Sequence, residues 1–377
     1  MQIGIPAEIT AGETRVAATP ETVKKYVGLG YKVVVQSGAG VASSCVDKAY
    51  EEAGAAIAAT AADTYRDSDF VLKVVAPTAD EVPLLKQGAT VLAAFAPHAN
   101  PNLDAYAARG LTCVAMELIP RITRAQSSDI LSSQANVAGY KAVLIAANEY
   151  QRMFPMLMTA AGTVKPARVV VLGVGVAGLQ AIATAKRLGA IVEASDLRPA
   201  AKEQVESLGG KWLDVPMSDE EKAKALGTGG YAWQPSPEYI RDQAVIVDKA
   251  VSNADIVITT AQIPGRKAPV LVKADTVAKM KPGSIIVDMA VGSGGNVEGS
   301  KPDENVVTAN GVKIVGISNI PALAAAETSA LYARNLLNFL APQHDKESKS
   351  IKLNKADDMV KPTLIVDGGQ VIYKKPN

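Results

Sequence analysis

The hydrophobic pattern changes period between residues 168 and 196 in a way that names three elements. Residues 168–172 (RVVVL) form a β-branched run, as expected of a strand covered on both faces. Residues 176–188 carry apolar positions at helical spacing, and 191–195 read as a second strand that ends at Asp196. The same alternation precedes this segment. Strands are expected at 2–5, 32–36, 70–75, 90–95 and 111–116, with helices at 21–28, 47–53 and 101–109. It also continues beyond it, with strands expected at 255–260, 284–288 and 313–316. Strands and helices in alternation predict the α/β class, with largely parallel sheets covered by helices on both faces.

Two longer helical patterns separate these series. One covers 135–153 and contains no proline; the other covers 322–340 and follows the last strand of the second series. Beyond it, residues 361–373 place Leu-Ile-Val and Val-Ile-Tyr on either side of Asp367-Gly368-Gly369, a hairpin signal. The tail is too short for a further domain, so it is expected to return to the first. The expected division is 1–134 with 322–377 as one domain and 135–321 inserted as the other, joined by two helices across a cleft. Residues 214–238 and 291–305 read as loops, the first a candidate lid because of its length.

Composition narrows the function classes. A chain of 377 residues has room for two ordinary domains, and 48% hydrophobic with 20% charged residues is globular. A net charge of +1 offers no basic excess for nucleic acid. Cys45 and Cys113 read as free thiols, and His98 and His344 are isolated, so no metal site is expected. MQIGIPAEIT lacks the pattern of a secretion signal, and the longest apolar stretch, 169–185, is broken by glycines. A cytoplasmic chain with no membrane span of its own is expected.

Chemistry enters with Gly173-Val174-Gly175-Val176-Ala177-Gly178. Gly173 permits a tight turn, Gly175 presents no Cβ to a pyrophosphate, and Gly178 lets helix and strand approach. Val176 and Ala177 open the helix whose unpaired N–H groups and positive dipole end suit phosphates. Asp196 lies 18 residues past Gly178, where a carboxylate accepts both ribose hydroxyls and repels a 2′-phosphate. The cofactor expected is NAD(H), held by a Rossmann-like domain.

A second constellation is PRITRAQSSDILSSQANVAGY at 120–140. It reads either as a polar loop with a Ser or Asp helix cap, or as a set of groups that orients a nicotinamide carboxamide and ribose. Here the chain resembles the NAD(H)-binding component, domain I, of proton-translocating nicotinamide nucleotide transhydrogenase. The resemblance runs over essentially the whole chain and includes MTAAGTVKPARVVVLGVGVAGLQAIATAKRLGA, KEQVESLGG, GGYA, ITTAQIPG and VKIVGISNIP. It implies that Arg121, Asp129 and Ser132 hold the nicotinamide of NAD(H). Gln126 would reach the nicotinamide ribose of NADP(H) on a partner component. Gly230 and Tyr231 would belong to a mobile loop that closes on nucleotide, and Leu197, Arg198, Thr260 and Gln262 would join Asp196 in the cofactor site.

Alanine dehydrogenase shares the two-domain plan. Its substrate-binding Arg and Lys are matched here by Arg15 and Lys73, and its catalytic His by His98. Its catalytic Asp, however, falls on Gly292 of VDMAVGSGG, and it has no counterpart of the Arg-Gln-Asp loop. Transhydrogenase is therefore the favoured reading, ahead of an amino-acid dehydrogenase or a non-catalytic NAD-binding module.

The resemblance implies direct hydride transfer between NAD(H) on this chain and NADP(H) on the partner, with proton translocation in a separate membrane component. It also implies a homodimer at the cytoplasmic face of the membrane, attached through its partner subunits. No general acid, base or metal is needed, because positioning and exclusion of water are what the protein supplies.

Overall fold

The computed structural model describes residues 1–226, 235–263 and 265–375. The chain divides into two compact units, residues 1–134 with 321–377, and residues 135–320.

The first unit opens with β1 (Gln2–Ile5), α1 (Pro20–Gly28), β2 (Lys32–Gln36), α2 (Asp47–Glu52), β3 (Ala56–Ala58) and α3 (Ala61–Arg66). It continues with β4 (Phe70–Val75), β5 (Thr90–Ala94), α4 (Leu103–Ala108) and β6 (Thr112–Ala115). Strands β1 to β6 pair in parallel in the order β6-β5-β4-β1-β2-β3. No periodicity predicts the short pieces β3 and α3, because AIA and AADTYR are too brief to establish one. Thr60 fixes the start of α3 by accepting the Asp63 N–H at 3.1 Å.

Helix α5 (Ile130–Glu149) leads into the second unit. It starts five residues before the expected 135, and the reason is its cap. Asp129 accepts the Ser132 N–H at 3.0 Å and the Ser132 hydroxyl at 2.6 Å, satisfying donors that a helix start leaves open. It ends at Glu149, ahead of the expected 153, in a bend-rich stretch that contains Pro155.

The second unit contains a small exposed hairpin, β7 (Leu157–Thr159) and β8 (Gly162–Val164), then β9 (Arg168–Leu172), α6 (Val176–Arg187) and β10 (Ile191–Ser195). There follow α7 (Ala201–Ser207), β11 (Lys211–Trp212), α8 (Asp219–Leu226), α9 (Pro237–Ser252), β12 (Ile256–Thr259), α10 (Ala274–Lys279), β13 (Ile285–Asp288), β14 (Glu304–Val307) and β15 (Lys313–Gly316). The sheet order is β11-β10-β9-β12-β13-β15-β14, parallel except for β14. Alternation along the strands fills two cores. Val169, Val171, Ile256, Ile258, Ile285 and Val287 pack with Ala181, Ile182 and Ala185 of α6. Val170, Leu172, Val257, Ile286 and Ile314 face the other way, against Val247 and Val251 of α9 and Val277 of α10.

Two expected loops are partly regular. Residues 219–226 of the 214–238 segment are helical, because Ser218 and Glu221 cap α8 reciprocally: Glu221 N–H to Ser218 Oγ is 3.2 Å and Ser218 N–H to Glu221 Oε2 is 3.2 Å. The 291–305 segment forms a 3₁₀ turn at Val291–Ser293 and enters β14 at its end.

The chain then returns to the first unit through α11 (Ala325–Leu340), preceded by a 3₁₀ turn at Ile320–Ala324 where the expected helix would already have begun. After the two-residue pieces β16 (His344–Asp345) and β17 (Ser350–Ile351), β18 (Leu364–Asp367) pairs antiparallel with β6 and with β19 (Gln370–Val371). Gly368 and Gly369 have φ of +57° and +76°, the left-handed pair that a tight hairpin needs. No helix among the described residues is long and apolar enough to cross a membrane.

Candidate functional site

In the second unit the glycine turn sits at the carboxyl end of β9. Gly173 has φ +93°, and its N–H donates to the Ser195 carbonyl at 2.9 Å, tying the turn to β10. A Cβ on Gly178 would lie 2.0 Å from the Gly173 carbonyl oxygen, so only glycine lets α6 start this close to the turn. At Gly175 a Cβ would meet nothing within 4 Å. That open space, in front of a helix whose first N–H groups have no side-chain cap, is the shape and charge a pyrophosphate fits. Val176 is partly exposed there, and the Ala177 carbonyl is covered by α5, where a Cβ on Gly139 would come within 2.1 Å.

Asp196 stands at the end of β10, and its oxygens are already engaged. Oδ2 accepts the Val174 N–H at 2.7 Å; Oδ1 accepts the Arg198 N–H at 2.9 Å and its Nε at 2.9 Å. The hydrogen bond to Asp196 holds the Arg198 guanidinium above its ordinary value, against the effect of burial. Asp196 therefore also braces the glycine turn, a function its spacing did not reveal. Leu197 packs against Tyr239 of α9, a buried residue not singled out in the sequence.

Across the turn, Thr260 follows β12. Its hydroxyl donates to the Gly173 carbonyl at 2.9 Å, and Gln262 Nε2 donates to the Met289 carbonyl at 2.9 Å. Asp288, at the end of β13, is fully buried and accepts from the Thr259 hydroxyl at 3.0 Å, the Ala290 N–H at 3.0 Å and the Asn296 N–H at 3.0 Å. Asn296, also fully buried, clasps Ala261. Its Oδ1 accepts the Ala261 N–H at 3.0 Å while Nδ2 donates to the Ala261 carbonyl at 2.9 Å and the Pro269 carbonyl at 2.7 Å. Neither residue stood out in the sequence; the polar Asn inside a glycine-rich loop was the available signal. Gly230 and Tyr231 lie outside the described residues.

In the first unit, residues Thr123–Ser128 form a 3₁₀ turn that presents exposed Arg121 and Gln126. The turn is fastened from several sides. Buried Ala125 anchors it, and the Ser127 carbonyl accepts Asn335 Nδ2 at 2.8 Å and Asn338 Nδ2 at 3.1 Å. Arg124 pairs with Asp357 at 2.6 Å and with Asp358. Asp129 and Ser132 bind each other as the cap of α5, so the structure brings these two together while Arg121 and Gln126 face solvent.

The residues matched to alanine dehydrogenase lie elsewhere in the same unit. Arg15 forks onto Glu13, Nε to Oε1 at 2.7 Å and Nη2 to Oε2 at 2.6 Å, and Nη1 donates to Gln134 at 2.8 Å. Lys73 is buried between Glu81 at 2.9 Å and Glu8 at 3.3 Å. Burial pushes Glu8 above its ordinary value in spite of Lys73. Burial acts the same way on Glu81, but Lys73 and the hydrogen bonds from Tyr65 and Thr78 hold it below. His98 is exposed. In the second unit, a Cβ at Gly292 would meet only Ser318, at 3.8 Å, so a side chain could be housed where this sequence has none.

Two family models cover most of the chain: "Alanine dehydrogenase/PNT, N-terminal domain" over residues 4–138 and "Alanine dehydrogenase/PNT, C-terminal domain" over 142–374. The chain is 52% identical over 379 aligned residues to an NAD(P) transhydrogenase subunit alpha protein of Rhodospirillum rubrum, covering 99% of this chain and 98% of that one. The crystal structure of transhydrogenase from Sinorhizobium meliloti superposes with a TM-score of 0.89 at 48% identity, over 99% of this chain and 100% of the other. A structure of L-alanine dehydrogenase gives 0.81 at 26% identity, over 99% and 97%. Fold, site and sequence thus agree: the chain belongs to the alanine dehydrogenase/PNT family.

Proposed function

We propose that this chain is the NAD(H)-binding component of a proton-translocating NAD(P) transhydrogenase, in which bound NAD(H) exchanges a hydride directly with NADP(H) on a partner component. The observation that carries the reading is Gln126, an exposed amide on a turn fastened at Ser127, Arg124 and Ala125. A rigid turn that offers one polar side chain outward is suited to meeting a nucleotide held by another protein.

The residues of the chain then have separable tasks. The first turn of α6, with Gly173, Gly175, Val176, Ala177 and Gly178, would hold the pyrophosphate, and Asp196 with Leu197 and Arg198 the adenosine ribose. Ribose binding would draw Asp196 away from the Arg198 guanidinium, while its bond from the Val174 N–H remains. Thr260 and Gln262 would border the nicotinamide half. Asp129 can accept from a carboxamide NH₂, while Arg121 and the Ser132 hydroxyl donate to its oxygen. Gly230 and Tyr231 would close over the nucleotide. The assembly would be a homodimer at the cytoplasmic face of the membrane, bound to the NADP(H)-binding component and, through its partners, to the component that moves protons.

The test uses the chain with its purified NADP(H)-binding partner. Gln126→Asn is expected to slow hydride transfer by about tenfold or more while NADH affinity changes less than about twofold. Equal losses in both would remove Gln126 from the role. L-alanine with NAD and the chain alone is expected to give no turnover, since Gly292 leaves the dehydrogenase's Asp position empty; turnover there would favour the amino-acid dehydrogenase.

A further inference from the structure

The strand order of the second unit reverses between β9 and β12, since β10 and β11 lie on one side of β9 and β12, β13 and β15 on the other. A dinucleotide laid over the carboxyl ends of such a sheet crosses at this point. With its adenosine ribose at Asp196, after β10, its other half must run toward the segment after β12. That segment, 260–262, is fastened on both sides. Thr260 Oγ1 reaches the Gly173 carbonyl at 2.9 Å, and Asn296 takes both the N–H and the carbonyl of Ala261. Asn296 is itself fixed by Asp288, which accepts its backbone N–H and that of Val297 at 3.2 Å. A Cβ on Gly295, at φ +79°, would come within 2.8 Å of Asp288 Oδ2, so the loop is closed tightly on this carboxylate.

We propose that Asn296 is a positioning residue for the nicotinamide half of the dinucleotide, fixing 260–262 as a rigid shelf that the Thr260 hydroxyl ties to the glycine turn. It touches no substrate and acts through Ala261. This rests on the dinucleotide reading above and adds the residue that sets the shelf. A shelf held by an amide clasping both polar groups of one residue cannot shift without breaking several hydrogen bonds at once.

Calorimetric titration of the full chain with NADH and with AMP separates the two halves of the site. Asn296→Ala is expected to weaken NADH by about tenfold and AMP by less than about twofold, because AMP uses Asp196 and the glycine turn alone. A merely structural Asn296 would weaken both in parallel, and that result, or unchanged NADH affinity, overturns the proposal. Should Asn296→Ala not fold, Thr260→Val is expected to show the same split and Thr260→Ser to restore NADH affinity. No split with Thr260→Val overturns it as well. If the unaltered chain binds neither nucleotide, it is the dinucleotide reading that fails.

Discussion

Glu117 is a buried carboxylate with an asymmetric environment. Its Oε1 accepts the N–H groups of Phe95 at 2.7 Å and Ala96 at 2.5 Å, while Oε2 is buried with no hydrogen-bond partner. The pair of bonds holds Ala96 at φ +46°, a conformation an alanine adopts at a cost. Burial raises the Glu117 carboxyl above its ordinary 4.5, with the backbone bonds opposing. A raised acid is more readily protonated when folded, so stability is gained as pH falls through the raised value toward 4.5 and lost as pH rises past it. Glu117→Gln keeps the Oε1 acceptor and removes the charge. Melting temperature measured across that interval is expected to become flat, from a slope of at most about 1.4 kcal/mol per pH unit, and to be higher than wild type at alkaline pH. An unchanged pH slope would exclude Glu117 as its source. Such residues also show where sequence reading stops. The glycines at 173–178 were legible because turn, close approach and helix start are local demands. Asp196 was legible in position, yet its bonds to Val174 and Arg198, like the clasp of Asn296 on Ala261, depend on which loops meet in space.

Among the elements, those with a clear period were legible to within a residue or two: β9, β10 and β15 lie where the apolar runs placed them. Helix α5 shows the opposite case. Its first turn, Ile-Leu-Ser-Ser-Gln, is polar enough to pass for loop, and the Asp129 cap decides the start. The capping pair Ser218 and Glu221 was present in the sequence but obscured by the surrounding charge. Helix α11 supplies the clearest test of an element acting at a distance along the chain. Asn335 is almost fully buried; it donates to the Ser127 carbonyl at 2.8 Å and accepts the Ser133 hydroxyl at 2.6 Å. Asn335→Ala removes both of these bonds and is expected to cost about 1–3 kcal/mol in denaturant unfolding. Under the proposed function it also slows hydride transfer with the partner, since the turn bearing Gln126 loses a fastening. A transfer rate equal to wild type in the destabilised variant would show that the turn does not need that bond.

At the scale of the molecule, the division at 134/135 and 320/321 makes the second unit continuous in sequence and the first discontinuous. Strand β18 pairs with β6 across some of the largest sequence separations in the chain, Leu364 with Val114 and Val366 with Cys113. The edge of an eight-stranded sheet thus depends on residues near the far end of the chain. The hairpin itself was readable from Asp-Gly-Gly, but no local signal specifies that its neighbour is an antiparallel β6, because pairing partners are chosen by whole-sheet geometry.

That closing strand has a kinetic meaning. On a ribosome β6 emerges early and must wait with one edge unpaired until residues 364–367 appear, whereas every strand of the second unit has its partners well before then. Long loop closure is slow and open edges invite wrong pairings. Pulse-labelled hydrogen exchange during refolding is expected to protect amides of β9 and β12 before those of β6 and β18. Simultaneous protection would mean the inserted unit gains nothing from its continuity. If the order holds, the half of the chain that carries the glycine turn completes its fold while the other half is still waiting for its last strand, and the tail is the step at which synthesis becomes a finished protein.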